Sequence, residues 1–132
     1  MGSFASIEEA REHFKKDRFA TDAGITLDEI GEDSAVCSVL LTDGHRNAYG
    51  GVMGGVIFTL ADFAFAVCAN NIHVLTVAQQ ISINYLSAPK GEKLFAKAKC
   101  LKSGKTTSVI QVMVSDDTGR DIALFTGTGF KL

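Results

Sequence analysis

The sequence predicts an α+β fold: a long antiparallel β-sheet wrapped around a central α-helix, with an amphipathic helix near the N-terminal end. Three observations predict it. Residues 56–69 form the longest apolar run, the later residues alternate as strands between short turns, and residues 6–17 have helical periodicity. A sheet that curls around the helix is the simplest way to bury both. A length of 132 residues suits one domain, 1–132.

The first predicted element is a helix over residues 6–17. Ser6 is a suitable N-cap, and Glu9 three residues later completes a capping-box pattern. Ile7, Ala10 and Phe14 fall on one stripe, so we expect an amphipathic helix on the outside of the domain.

Two strands are predicted next, at residues 24–30 and 35–41, joined by a turn at residues 32–34. Residues 43–53 have no regular periodicity, and four glycines lie between Gly44 and Gly54 inclusive. We therefore expect an irregular segment that leads into the central helix.

The central helix, residues 54–71, is apolar on nearly all sides, which is typical of a buried helix. Its longest apolar stretch, residues 56–69, is interrupted by Asp62 and is shorter than the roughly 20 residues that a bilayer requires. The sequence therefore predicts a core helix and no membrane span.

The remainder alternates as four strands near residues 81–85, 94–100, 109–114 and 122–130, with turns at residues 89–91, 103–104 and 117–119. Because these three connections are short, we expect the strands they join to be antiparallel neighbours. A second subunit would bury an exposed face and edge of such a sheet, so we also expect a homo-oligomer.

Composition narrows the function classes. A formal net charge of −2 provides neither a basic face for nucleic acid nor a polybasic membrane signal. The three cysteines have no metal-ligand spacing, so we predict no metal site and buried or half-buried thiols. Without a visible signal-peptide pattern, the expected location is cytoplasmic.

Asp62 is the residue that packing alone does not explain. Its helical neighbours carry no positive charge, so no ion pair is available on its own helix. Burying an unpaired carboxylate is costly, which leaves either a hydrogen-bond network to another element or a catalytic role.

The start of the central helix is the second candidate feature. Its free N–H groups and positive dipole end could stabilise an oxyanion, and Gly54 and Gly55 would let a ligand approach the backbone closely, although the glycines could also serve packing alone. Gly54 lies about 12 Å along the helix from Asp62, too far for both to act on one carbonyl. If both are catalytic, a dimer with two shared active sites is required.

Three further side chains are candidate substrate contacts. His45 could assist catalysis or only cap a loop, and Lys105 could meet a phosphate or only be solvated. Gln80 or its neighbour Gln79, at the start of the strand after the helix, could face Asp62. Residues 103–106 lack the first glycine of a P-loop and predict a hairpin turn.

Residues 44–66 resemble the signature of PaaI-like (phenylacetic acid degradation) thioesterases of the hotdog superfamily: Gly-His-Arg-Asn-Ala-Tyr-Gly-Gly-Val-Met-Gly-Gly-Val-Ile-Phe-Thr-Leu-Ala-Asp-Phe-Ala-Phe-Ala. The resemblance extends through Ile83-Asn-Tyr-Leu-Ser-Ala-Pro, Gly104-Lys-Thr and Ala123-Leu-Phe-Thr-Gly, and covers roughly residues 25–131. It implies a hotdog fold and a tetramer built from two dimers. It also implies Asp62 as base or nucleophile, Gly54 as carbonyl-polarising donor and Asn47 as the amide that positions substrate or water.

Met53 departs from the family pattern, which has histidine at this position. A thioether cannot donate a strong hydrogen bond, but it suits an apolar wall beside an acyl group. The hypothesis is hydrolysis of a small or aromatic acyl-CoA, with CoA as part of the substrate and no other cofactor. The alternatives are a non-catalytic acyl-CoA-binding protein and a hotdog dehydratase or hydratase acting on hydroxyacyl thioesters.

Overall fold

A six-stranded antiparallel sheet curves around a single long helix, which confirms the predicted arrangement. The computed structural model describes residues 2–132, and Met1 of the predicted domain lies outside them. The strands are β1 (Thr26–Ile30), β2 (Ser34–Leu40), β3 (Thr76–Tyr85), β4 (Lys93–Ser103), β5 (Thr107–Asp116) and β6 (Asp121–Lys131). The helices are α1 (Ile7–Phe14), α2 (Arg18–Asp22) and α3 (Gly54–Ile72), with a short 3-10 helix at Asp43–His45.

The strand order is β1-β2-β4-β5-β6-β3, which corrects one predicted pairing. The turns at residues 103–104 and 117–119 do join neighbours, β4 with β5 and β5 with β6. The connection around residues 89–91 does not, because β3 pairs with β6, with Tyr85 opposite Ala123. Residues 86–92 therefore cross the end of the sheet instead of forming a hairpin, and β3 is an edge strand.

The core forms where the concave face of the sheet meets α3. Leu60, Ala61 and Phe65 are fully buried there, and burial of a side chain such as Leu60 stabilises the fold by about 1.5–3 kcal/mol. Gly127 on β6 permits the close approach of helix and sheet, because a Cβ atom at this position would lie 2.7 Å from the Phe65 ring. By length and composition α3 could span a membrane, yet most of it is buried inside the protein, as in a core helix.

The N-terminal segment differs in detail from its prediction. α1 ends at Phe14, and the separate helix α2 was not predicted. Ser6 caps α1 by accepting from the Glu9 N–H at 3.2 Å, as predicted. The Glu9 carboxylate accepts from the Ala5 N–H at 2.6 Å and not from that of Ser6, so the capping box is shifted by one residue.

Candidate active site

Asp62 is half-buried and unpaired. Among residues 2–132, no hydrogen-bond donor or cation contacts its carboxylate. Burial, and secondarily the negative charge of Asp17, raise the pKa of Asp62 above its usual range. Hydrogen bonds from another described element of the same subunit therefore do not hold this carboxylate, which was the structural alternative.

Asp62 lies on a narrow stripe of α3 that the sheet does not cover. Gly55 is exposed, and Thr59, Asp62 and Ala66 are half-buried, at spacings that place all four on one side of the helix. The prediction that α3 is buried on nearly all sides is thus incomplete. The uncovered residues are small apart from Asp62, so another helix could approach α3 closely here.

The start of α3 presents unused backbone donors. The N-cap residue Met53 makes no side-chain cap, and the Val56 N–H is bonded to the Met53 carbonyl at 3.0 Å. Within the part of the chain that the structure describes, the N–H groups of Gly54 and Gly55 have no acceptor. Two neighbouring unpaired donors at a helix N-terminus are suited to an anionic oxygen.

Asn47 is held by the loop that precedes α3. Its Oδ1 accepts from the Gly51 N–H at 3.1 Å, and its own N–H donates to the Gly51 carbonyl at 2.7 Å. The acceptor side of the amide is thus occupied by the loop. The Nδ2 group has no partner among residues 2–132 and remains available as a donor.

Two clefts meet at the start of α3, and Tyr85 lines both. The smaller, of about 490 Å³, contains Asn47 and Gly54. The larger, of about 920 Å³, contains Met53 and Gly55 beside apolar side chains that include Phe19, Leu40, Val56 and Phe58. Asp62 borders neither cleft, so the structure brings Asn47 and Gly54 together and leaves Asp62 on the uncovered stripe of the same helix.

The His45 ring has the capping role that was the alternative in the sequence analysis. It is 8% exposed, its Nδ1 accepts from the Thr42 N–H at 3.0 Å, and its Nε2 donates to the Ala23 carbonyl at 2.7 Å. With both nitrogens bonded, the ring ties the 3-10 helix to the end of α2. The ring also borders the larger cleft. A role in substrate binding therefore stays a prediction, in which the ring contacts the substrate without using its nitrogens.

Gln80 does not face Asp62 within the subunit, and this part of the prediction is wrong. Ile81 packs towards α3, since its side chain and the Phe65 ring both adjoin the position of a Cβ atom on Gly127. Because neighbouring residues of a strand point to opposite faces, Gln80 lies on the outer face of the sheet. There it is exposed, and its Nε2 donates to the Ile81 carbonyl at 3.3 Å.

Lys105 lies in the β4–β5 hairpin turn, as predicted. This turn is beside the C-terminal end of α3, where Ile72 and Ser103 border the same surface depression. The 19 residues of α3 separate that end from Gly54 by roughly 27 Å. Lys105 therefore cannot reach the Gly54 site of its own subunit, and a contact with substrate in a neighbouring subunit stays a prediction.

Asp116 is a structurally important residue that the sequence analysis missed. Its buried carboxylate accepts from the backbone N–H groups of Lys90, Gly91 and Arg120 and from both the N–H and the hydroxyl of Thr118. Burial opposes ionisation, but these hydrogen bonds outweigh it and hold the pKa of Asp116 well below its usual range. Asp116 thereby fixes residues 90–91, next to the wall of the smaller cleft at residues 86–89.

The three cysteines are free thiols that are buried or half-buried, which confirms the prediction. Cys37 and Cys68 are buried, Cys100 is half-buried, and all three are free. Burial raises the pKa of Cys68 to about 12, so this thiol is unreactive at neutral pH. Residues 2–132 contain no group of three or more His, Cys, Asp or Glu side chains that could hold a metal ion.

Sequence comparison identifies related proteins over nearly the whole chain. Residues 49–123 match the profile of the Thioesterase superfamily. A putative esterase from Archaeoglobus fulgidus is 32% identical over 128 residues, covering 96% of this chain and 83% of the relative. The acyl-coenzyme A thioesterase PaaI of Escherichia coli is 29% identical over 131 residues, covering 98% of this chain and 94% of the relative.

Solved structures share the fold. The E. coli PaaI protein from the phenylacetic acid degradation operon superposes with a TM-score of 0.89 at 28% identity, covering 96% of this chain and 92% of that one. A hypothetical thioesterase from Streptococcus pneumoniae, determined with coenzyme A, has a TM-score of 0.81 at 30% identity, covering 89% and 94%.

Proposed function

Because this chain belongs to the thioesterase superfamily, as a PaaI-like member with the hotdog fold, we propose that it hydrolyses a small or aromatic acyl-CoA thioester to a free acid and CoA. The observation that carries the proposal is the pairing of two unused features on α3. Within the described residues, the Asp62 carboxylate on the uncovered stripe is unpaired, and so are two N–H groups at the helix start.

The two features serve one carbonyl only if two subunits combine. In the proposed dimer, two α3 helices lie antiparallel along their uncovered stripes, so that Asp62 of the partner subunit comes near Gly54. The free edge of β3, which exposes Val77 and Tyr85, would be covered by the same association. A dimer of such dimers and a cytoplasmic location stay predictions from the family resemblance and the sequence.

In the proposed reaction, the thioester carbonyl oxygen accepts hydrogen bonds from the N–H groups of Gly54 and Gly55. If Asp62 acts as base, it takes a proton from water, whose oxygen attacks the carbonyl carbon. If it acts as nucleophile, an acyl–Asp62 anhydride forms and water then hydrolyses it. In both routes negative charge develops on the carbonyl oxygen, the C–S bond breaks, and CoA leaves as a thiol after protonation.

The clefts suit a substrate of this kind. The apolar walls of the larger cleft could accommodate an acyl group, and the smaller cleft combines the Asn47 amide with the Gly54 N–H. The S. pneumoniae relative holds coenzyme A in its structure, which supports an acyl-CoA as the substrate class.

The first test measures thiol release from a panel of aliphatic and aromatic acyl-CoA esters by the wild-type protein and Asp62→Asn. The amide cannot take a proton or attack, so we expect turnover to fall about 10²–10⁴-fold while the fold is retained. Unchanged turnover in Asp62→Asn would contradict the assignment of Asp62.

The pH profile supplies a second readout of Asp62. The carboxylate must be ionised to act, so turnover should fall as pH decreases through its raised pKa, above the ordinary Asp value of about 3.9. Asp17→Asn removes a charge that raises this pKa, so this variant should keep its turnover and move the acid limb to lower pH.

Met53 supports a second candidate function, a non-catalytic acyl-CoA-binding protein. Methionine stands where the family has histidine, and it is 51% exposed at the mouth of the larger cleft. Binding of acyl-CoA without thiol release by the wild-type protein would favour this candidate. The dehydratase alternative requires a catalytic histidine paired with the acid. The helix α3 carries no histidine, and both nitrogens of His45 are already bonded.

A further inference from the structure

Tyr85, the last residue of β3, contacts Gly54, the first residue of α3. Its hydroxyl donates to the Gly54 carbonyl at 3.2 Å. A Cβ atom on Gly54 would lie 3.4 Å from the same hydroxyl and 3.5 Å from the ring carbon that bears it. The ring therefore packs directly on the first helical residue, and glycine at position 54 allows this approach.

The acceptor of this hydrogen bond belongs to the peptide group that carries a free donor. The Gly54 carbonyl and the Gly55 N–H are the two ends of one peptide, and the Gly55 N–H has no acceptor among residues 2–132. A hydrogen bond to the carbonyl end polarises a peptide group and strengthens its N–H as a donor.

A second hydroxyl at the helix start provides a contrast. Thr59 Oγ1 donates to the Gly55 carbonyl at 2.7 Å, which polarises the next peptide. The N–H of that peptide belongs to Val56 and is already bonded to the Met53 carbonyl. Of the two hydroxyls, Tyr85 acts on the peptide whose N–H is unused.

We infer that Tyr85 is a positioning residue: its hydroxyl sets the donor strength of the Gly55 N–H, and its ring is the wall shared by the two clefts. The inference rests on the proposed thioesterase activity for its catalytic consequence. The two parts are separable, because Tyr85→Phe removes the hydroxyl and keeps the ring, whereas Tyr85→Leu removes both.

The hydroxyl's effect on the peptide can be measured without any substrate. We expect the amide proton of Gly55 to move upfield in the NMR spectrum of Tyr85→Phe, because the peptide is less polarised. The matched control is Tyr49→Phe, since the Tyr49 side chain is 97% exposed, and it should leave the Gly55 signal in place. An unchanged Gly55 signal in Tyr85→Phe would overturn the inference, whether or not the protein hydrolyses thioesters.

Steady-state kinetics test the catalytic consequence. For Tyr85→Phe we expect kcat to fall about three- to tenfold, a fraction of the loss caused by removing a whole oxyanion donor, with KM changed less than about twofold. For Tyr85→Leu we expect KM to rise as well, because the cleft wall is lost. Wild-type kcat in Tyr85→Phe, or a Tyr85→Phe effect confined to KM, would contradict the hydroxyl's role. Absence of turnover in the wild-type protein would instead reject the proposed function, with the NMR result still deciding the inference.

Discussion

At the scale of single residues, two aspartates of this chain have opposite electrostatic environments. Asp62 is half-buried and has no hydrogen-bond donor in the described part of the chain, and burial raises its pKa. Asp116 is buried more deeply, but five hydrogen bonds lower its pKa. An aspartate whose ionised carboxylate is fully hydrogen-bonded by the protein has a structural role, whereas one without hydrogen bonds is a candidate for catalysis.

Asp116→Asn should destabilise the protein in a pH-dependent way. In the variant, an NH2 group would replace one acceptor oxygen and would face N–H donors. The free energy of unfolding should therefore fall by about 2–3 kcal/mol at pH 7. Because the folded-state pKa of Asp116 is depressed, its contribution is present above the unfolded value near 3.9 and is lost as pH falls towards the folded value.

The measurement is denaturant unfolding of both proteins at pH 7 and at pH 3. The difference between wild type and variant should shrink at the lower pH. Asp121→Asn, an exposed neighbour without a side-chain hydrogen bond among residues 2–132, serves as the control and should change little. A difference that is equal at both pH values would refute the electrostatic account of Asp116.

At the scale of elements, the function proposed for α3 depends on how the helix begins. Met53 caps it without a side-chain hydrogen bond, and the N–H groups of Gly54 and Gly55 have no acceptor within residues 2–132. A serine or aspartate at the N-cap could accept from the Gly55 N–H and stabilise the helix, but it would then compete with a substrate oxygen for that donor. The poor cap is thus consistent with a helix start that serves binding.

Gly54→Pro tests the donor directly. Proline is well tolerated at the first helical position and lacks the N–H, and Met53 already has the extended backbone, at φ −64° and ψ 134°, that a residue before proline requires. We expect thioester turnover to fall about 10²–10³-fold, the loss typical of removing one oxyanion donor.

Gly54→Ala is the matched control. Alanine adds the same Cβ atom against Tyr85 but keeps the N–H, so its turnover should stay within about tenfold of wild type. Equal activity of the two variants, measured by thiol release with circular dichroism to verify folding, would exclude the Gly54 N–H as a catalytic donor.

At the scale of the whole molecule, the proposed mechanism assigns to one subunit two halves of different active sites. About 12 Å of helix separates Gly54 from Asp62, and no flexible segment lies between them. Two variants with defects in different halves should therefore complement each other when their subunits are mixed.

The complementation experiment mixes Asp62→Asn with Gly54→Pro after denaturation and refolding together. Half of the dimers formed at random contain one chain of each variant. In such a dimer one site combines the unchanged Gly54 of one chain with the unchanged Asp62 of the other and is intact, and the second site carries both substitutions. We therefore expect about a quarter of wild-type activity from two nearly inactive proteins. A mixture no more active than its components would contradict shared active sites.

The sequence determined most elements of this protein, α2 excepted, because their signals are local. The apolar run of α3 and its glycine start, the Ser6 cap of α1 and the alternation of the last strands depend on neighbouring residues only, and all were predicted. The thioesterase family was also identifiable, since its signature around Asp62 is contiguous in the chain.

The tertiary structure decided what depends on long-range contacts. Local alternation could not place β3 beside β6, because this pairing depends on the path of residues 86–92. It also could not reveal that His45 is fully bonded, that Asp116 fixes residues 90–91, or that Tyr85 reaches Gly54, since each depends on a contact between residues distant in sequence. Hydrogen-bond partners are chosen by the packing of whole elements, and this packing is why a candidate side chain becomes structural or stays free for chemistry.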